Sequence, residues 1–565
     1  MSASDKKKLR KEEKNAMLTQ KQQQEKKEAR KLTCYTFGFI ALMVIVIAVA
    51  LVSFACRQYE QQGIAEKSTI AAVIDGTELN SVQMNYYYRD AINQMYNNAY
   101  SSMGEQYAEL FLEASGLDLG APLNEQEHPE GGTWADYFVN TALENAKIDF
   151  AFYNEAMKND FKLSDEEQES LELQFESLEA NALASGYGSA DKYLQLGYGY
   201  GYGATMASYR EYIERSVIAT AYATYYQENE ITVDAEAIRN AEKGHEDDYN
   251  SYDYTLAYLS YKDFIEGGTE GEDGTMTYTP EEEDAARAKA KEAADKLATA
   301  TSVEEMETIL EEIEVNETSG LAINAETNVL HSVVKTADLA AWLADPARTE
   351  GEIGIVANKQ ADNEEIINGY DVVCFLAKYD NKEPMSNVRH LLVAFEGGSY
   401  DDATGETIYT DEEKAAAKEE ADKLLKEWES GEKTEARFIE MLKEHSDDNP
   451  ELNDGLYENI NPHSEYVPSF LEWSINPERK TGDYGLVETM YGWHLMYYVG
   501  DTEMTYRDYM ISEELKASTA DAWYNSVLSA VNAETKDLSK LELDMVLSPG
   551  HTHDHEEEEA SEDKE

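Results

Sequence analysis

Residues 1–32 are polar and basic; residues 35–55 then carry no charged side chain, and Ile40 through Ile47 are apolar throughout. At a rise of 1.5 Å per residue, about 20 apolar residues cross the ~30 Å hydrocarbon core of a bilayer. An uncleaved membrane anchor over 33–56 is predicted, because the apolar region of a cleaved signal peptide runs only about 7–15 residues. From Thr69 the run Ile70-Ala71-Ala72-Val73-Ile74-Asp75-Gly76-Thr77-Glu78-Leu79 reads as a strand, a tight Asp-Gly turn and a return strand. Helical spacing of apolar residues follows over about 81–114, 134–158, 164–185 and 204–228, with no proline between Pro129 and Pro280. Within that region Gly and Tyr alternate from Gly197 to Gly203, a pattern that cannot hold a stable helix. This loop either packs its tyrosines on neighbouring helices or presents them as an adaptable aromatic surface.

The period then changes. Tyr254–Leu259 and Val388–Val393 read as strands. Each leads through an acidic, exposed loop (Gly267–Gly274 and Gly397–Gly405) into an amphipathic helix, 281–299 or 411–428, and ends in a further strand. A last helical pattern covers about 506–531, with Tyr509, Met510, Leu515, Ala522, Trp523 and Val527 at helical spacing. Residues 533–565 are predicted as an acidic, disordered tail, almost free of apolar side chains from His551 onward. His551, His553 and His555 in that tail are read as solvated rather than as metal ligands.

The two strand–helix–strand segments are copies of one another. Trp342-x3-Pro346-x-Arg348-x2-Gly351-x2-Gly354-x-Val356 recurs as Trp473-x3-Pro477-x-Arg479-x2-Gly482-x2-Gly485-x-Val487, at a constant offset of 131 residues. The same offset relates Tyr278-Thr279 to Tyr409-Thr410. The copies diverge near their ends: Gly492-Trp493-His494 in the second stands against Gly369-Tyr370-Asp371 in the first.

Charge adds direction. Residues 1–32 hold 11 Lys/Arg against five Asp/Glu, so the positive-inside rule places them in the cytoplasm and the remainder outside. The chain carries −67 and this leader +6, leaving about −73 on residues 33–565. Nucleic acid is thereby disfavoured as a partner, since phosphate binding needs a basic footprint. Cys34 and Cys56 bracket the apolar run and Cys374 stands alone, so no intramolecular disulfide framework is expected. Cys56, after Ser53-Phe54-Ala55, loosely resembles a lipidation site.

The second copy resembles a parvulin-type (PpiC, rotamase) peptidyl-prolyl isomerase over about 384–502. Val388-Arg389-His390-Leu391-Leu392-Val393 is similar to the family's first strand with its histidine. Phe438-x6-His445-Ser446-Asp447-Asp448 is similar to its helix and acidic turn, and Asp454-Gly455-Leu456 to its Gly-rich segment. Tyr466-x3-Phe470 stands where the family has Met-x3-Phe, and Thr489-x-Tyr491-Gly492-Trp493-His494 resembles the closing strand. The resemblance implies His390, Asp448 and His494 as catalytic residues. It implies Leu456, Tyr466 and Phe470 as the proline pocket, with no cofactor and no metal.

The whole chain resembles the PrsA/SurA-type extracytoplasmic foldases. That implies a multidomain α+β protein. Its parts would be a cytoplasmic segment (1–32), an anchor (33–56) and a helical chaperone domain (57–245, completed by 503–532). A degenerate parvulin-like domain (246–383), an isomerase domain (384–502) and the tail (533–565) would follow. The implied function is a membrane-anchored foldase isomerising X–Pro bonds in exported, proline-containing polypeptides, with the bulk of the chain extracytoplasmic. The alternative is a non-catalytic holdase or scaffold for secreted proteins, as the histidine-poor first copy suggests. Hydrolase chemistry has no support, as neither Gly-x-Ser-x-Gly nor His-Glu-x-x-His occurs.

Overall fold

The computed structural model describes residues 3–270, 275–316, 319–361, 363–401, 405–449 and 452–547. The histidines at 551, 553 and 555, and parts of the two Gly-rich loops (271–274 and 402–404), lie outside the described residues. The chain is a mixed α+β protein of several small sheets and separates into two compact units. One comprises Met1–Ile231 and Thr519–Glu565, the other Thr232–Ser518.

The first unit opens with a helix, Ala3–Gln61. Its segment Leu42–Gln61 is long and apolar enough to cross a membrane, and none of it is covered by protein. The predicted hairpin forms: Ile70–Ile74 pairs antiparallel with Thr77–Asn80 around Asp75 and Gly76, both at positive φ. Asn80 then caps Ser81–Met103 through a capping box with Gln83, satisfying backbone donors that a helix start leaves unpaired. Gly104, at φ 77°, divides the predicted 81–114 helix into Ser81–Met103 and Glu105–Ala114.

Trp134–Lys158, Asp165–Ala184 and Met206–Tyr225 follow, each starting on a Thr or Ser capping box. The Gly-Tyr loop packs its middle tyrosine inward. Tyr200 is buried, donates to Asp90 at 2.9 Å, and accepts from Asn85 through its carbonyl at 2.7 Å. Tyr198 and Tyr202 stay partly open to solvent.

The expectation of a disordered tail from residue 533 does not hold over 533–547. Ala533–Thr535 pairs with Ile70–Ile74, making that hairpin a three-stranded sheet. Leu541 is buried in the same core, and Leu538, Leu543, Met545 and Leu547 pack against it. Their apolar side chains, spaced among acidic ones, provide the burial that the overall charge of the segment obscures. Trp523, from the helix Tyr506–Ser529, stacks on Tyr226 with ring centroids 3.8 Å apart. The helical body also ends earlier than residue 245: Ala235–Glu242 belongs to the second unit, where Arg507 donates to Glu242, to the Glu246 carbonyl and to Asn250.

The second unit holds two four-stranded sheets of identical order. The first runs Ile323–Leu330, Ser251–Ser260, Asn363–Tyr379, Ile353–Gln360; the second runs Leu456–Ile460, Pro384–Ala394, Gly492–Thr505, Tyr484–Glu488. All neighbours are antiparallel.

The recurring sequence has physical reasons in both copies. Arg348 lies 4.0 Å over the Trp342 ring and donates to its carbonyl at 2.9 Å; Arg479 does the same to Trp473 at 4.0 and 3.0 Å. Gly354 and Gly485 leave room beneath those indoles, where a Cβ would sit 2.5 and 3.3 Å from ring atoms. Thr279 and Thr410 cap the long helices Pro280–Leu297 and Asp411–Ser430 with capping boxes. The glutamates of those boxes also accept from the Gly268 and Gly398 amides at 3.1 and 3.0 Å.

Candidate active site

Three local devices in the second sheet build the site. Leu495 and Tyr497 face one core of Gly492–Thr505, while His494, Met496 and Tyr498 face the other side, the alternation a strand imposes. Opposite Met496 lies His390, so both histidines emerge on one face of adjacent strands. At Gly492 a Cβ would meet the Val393 carbonyl oxygen at 2.2 Å, so only glycine allows the strands to approach there.

The second device is the turn after the helix Glu435–His445. The Asp447 amide donates to the Leu392 carbonyl at 2.9 Å, and the Ala394 amide donates to the Asp447 carboxylate at 2.9 Å. Ser446 accepts from the Leu392 amide at 3.1 Å. The turn is thus sewn along the strand that carries His390, and Asp448 Oδ2 arrives 3.3 Å from His390 Nε2. The third device is the bend Asn453-Asp454-Gly455, all at positive φ and held by Arg389, which donates to the Asp454 carbonyl at 2.6 Å and to Glu435 at 2.8 Å.

His390 Nδ1 lies 3.0 Å from His494 Nδ1, and His494 Nε2 lies 2.9 Å from the Thr489 hydroxyl. Both rings are 5% exposed, and burial pulls each down to about 4, so both are neutral at pH 7. Neutral rings carry one proton each, which fixes the direction of the chain. The Asp448 carboxylate can only accept, so His390 holds its proton on Nε2. His390 Nδ1 then accepts from His494 Nδ1–H, and His494 Nε2 accepts from the Thr489 hydroxyl. Thr489 in turn accepts from the Tyr491 amide at 3.1 Å. One continuous set of donors runs from that backbone amide to the carboxylate, with every buried polar atom on it satisfied.

Above this relay lies a cavity of about 540 Å³ whose lining includes His390, Asp448, Tyr466, Phe470 and His494. Phe470, buried on the helix Pro468–Ser474, meets His390 edge-on at 5.3 Å and His494 at 5.6 Å. Tyr466 lies 5.3 Å from Phe470.

Five of the six predicted residues therefore share one cavity; Leu456 does not. It lines a smaller cavity of about 120 Å³ that it shares with His390, Asp448 and Tyr457. Strand alternation turns its neighbour Tyr457 into the main wall instead, and the Tyr457 hydroxyl donates to Asp448 at 3.3 Å. Burial pushes that phenol up to about 12, which keeps it a donor. Sequence reading missed Tyr457, and it quoted Thr489 in the closing-strand motif without giving it a role in the site. The period of two counted from Gly455, and the Thr-to-His spacing of five, are the signals that point to them.

The first sheet has no such relay. Val356 pairs with Asp371 as Val487 pairs with His494, and Leu256 with Val373 as His390 with Met496. Asp371 thus occupies the position of His494, and Leu256 that of His390. Asp371 is fully buried, and its nearest cation is Lys335 at 3.7 Å, which also lies 3.7 Å over the Tyr258 ring. Burial raises the Asp371 carboxyl, against the pull of Lys335.

No curated protein matches the chain. Residues 390–500 match the PPIC-type PPIase (rotamase) domain family, and that stretch spans the whole relay and its cavity. The chain therefore carries a parvulin-type peptidyl-prolyl cis-trans isomerase domain, which makes it a peptidyl-prolyl isomerase.

Proposed function

We propose that the protein is a membrane-anchored foldase of PrsA/SurA type. Its second repeat isomerises X–Pro bonds in exported polypeptides, and its helical body holds those polypeptides as a chaperone. The observation that carries the catalytic part is the neutral His390–His494 pair aimed at Asp448 under an aromatic cavity.

The chemistry asks for little. An X–Pro amide turns over a barrier of about 20 kcal/mol while its two ground states differ by about 1 kcal/mol. Amide resonance makes that barrier, and a site that binds the twisted amide better than either planar form lowers it. Phe470, Tyr466 and Tyr457 hold the proline ring. Asp448, fixed by His390 and Tyr457, sits beside the carbonyl of the amide whose C–N partial double bond is lost on twisting. Its charge disfavours the resonance form with a negative carbonyl oxygen and favours the twisted amide. The histidines act as positioning residues: they hold Asp448 by hydrogen bonds rather than transferring protons.

The anchor rests on the apolar helix Leu42–Gln61, and the basic flank before it supports a cytoplasmic N-terminus. A chaperone role draws support from a groove of about 1030 Å³ in the helical body, walled by Phe161, Tyr222, Tyr225 and Tyr226. Aromatic walls offer large contact area to unfolded segments. The test combines two assays on the full-length chain in detergent: exchange between cis and trans X–Pro peptides by NMR, and suppression of aggregation of an unfolded client. Absence of peptide exchange would leave a holdase; absence of suppression would leave an isomerase alone.

A further inference from the structure

The cavity over the histidine relay has a one-sided charge. Among the described residues its charged lining groups are Asp448 and Glu465, with neither Lys nor Arg. Asp448 is engaged with His390 and Tyr457. Glu465 is exposed and directly precedes Tyr466, one wall of the aromatic grip. The Lys414 ammonium lies 5.8 Å over the ring of Phe395, a lining residue, and Lys414 is preceded in sequence by Asp411, Glu412 and Glu413. Across residues 384–502 there are 10 Lys/Arg against 27 Asp/Glu, so the surroundings reinforce the sign.

With proline seated against Phe470, the residue before it is one peptide unit away, with its Cα about 3–4 Å from that of proline. A Lys or Arg side chain at that position spans the rim, and its aliphatic stem can lie on Tyr491, which is 56% exposed at the lip. A Glu side chain there meets two carboxylates. We propose that Glu465 is a specificity residue that makes this domain select Lys–Pro and Arg–Pro bonds and reject Glu–Pro and Asp–Pro bonds. The proposal rests on the reading of this cavity as the isomerase site.

The test is the rate of cis/trans exchange of Ala-X-Pro-Phe peptides with X = Lys, Ala or Glu, measured by NMR with the full-length chain in neutral detergent. Exposed charge pairs are individually weak, so two carboxylates should separate Lys from Glu by on the order of tenfold in kcat/KM at low salt. Ala falls between them. Salt near 1 M, where the screening length is about 3 Å, should collapse the spread. Glu465→Lys should narrow the order or reverse it relative to the Ala peptide measured on the same sample. Equal rates for all three peptides on the unaltered protein would overturn the proposal and leave the isomerase assignment standing. A spread that survives both salt and Glu465→Lys would assign the selection elsewhere and overturn it too. Absence of exchange for every peptide would instead overturn the reading of the site.

Discussion

The two repeats of the second unit share strand order, helix caps and the Arg-over-Trp fold-back, yet only one of them carries the histidine relay. Equivalent positions under the sheet hold His390 and His494 in one copy, Leu256 and Asp371 in the other. The frame of a domain and its chemistry are thus separable. The frame depends on glycines, caps and an indole that packing requires, while the chemistry depends on two side chains on one face.

The sharpest way to break the comparison is to make the second copy resemble the first. His494→Asp places a carboxylate beside His390 with no cation near it. Peptide exchange should fall to the uncatalysed rate, and the second repeat should lose about 3–5 kcal/mol, the cost of an uncompensated buried charge. NMR exchange and thermal melting check both outcomes. Asp371→Asn in the first copy should leave the exchange rate unchanged, and a drop there would mean that the first copy takes part in turnover.

Acid should pull the copies apart. His390 and His494 titrate near 4 when folded and near 6.5 when unfolded, so between those values the unfolded chain binds more protons. The second repeat therefore keeps full stability above about pH 6.5 and loses it as pH falls toward 4. Asp371 is raised by burial, so the folded first repeat binds the extra proton and gains stability as pH falls through that raised value. Hydrogen exchange followed peptide by peptide from pH 7 to pH 4.5 should show protection falling in 384–502 and holding or rising in 251–379.

A smaller effect comes from Lys335→Met, which leaves the Asp371 carboxylate without its cation. Lys335 is 46% exposed and partly screened, so the loss should be up to about 3 kcal/mol, confined to the first repeat and smaller in acid. Urea melts at two pH values test it. The smallest effect should be shared: Arg348→Met and Arg479→Met each remove one cation–π contact and should cost their own repeat about 1 kcal/mol. Each also loses the hydrogen bond to the indole's carbonyl, and Arg348 alone pairs with Asp345 and Glu352, so its replacement should cost slightly more.

Much of this was legible in the sequence for specific reasons. The offset of 131 residues from Trp342 to Trp473 becomes 123 between Asp371 and His494, and the strand pairings show that those two positions are nevertheless equivalent. The cavity residues Tyr466 and Phe470 were recognisable because they stand in the family's Met-x3-Phe pattern, Phe470 on the helix Pro468–Ser474 and Tyr466 in the turn just before it. Leu456 falls outside the main cavity because a single-residue change of strand phase exchanges the two faces, and the bend at Asn453–Gly455 sets that phase. The packed segment 533–547 was hidden because Leu538, Leu541 and Leu543 stand among charges and follow neither strand nor helix period. Its burial depends on a hairpin that lies near the other end of the chain, which local patterning cannot reveal.

That distant pairing sets a timetable for the chain's own maturation. Ala72 finds its partner only at Thr535, and the strand Ile70–Ile74 has just one neighbour until then. A lone two-stranded hairpin is marginal in water. At 5–20 residues per second of synthesis, the intervening chain takes on the order of a minute to appear. The residues of both repeats emerge in the meantime and close their sheets from local strands. During synthesis every strand of both repeats is therefore made before Thr535, and the three-stranded sheet of the first unit is the last of these sheets whose strands are all present.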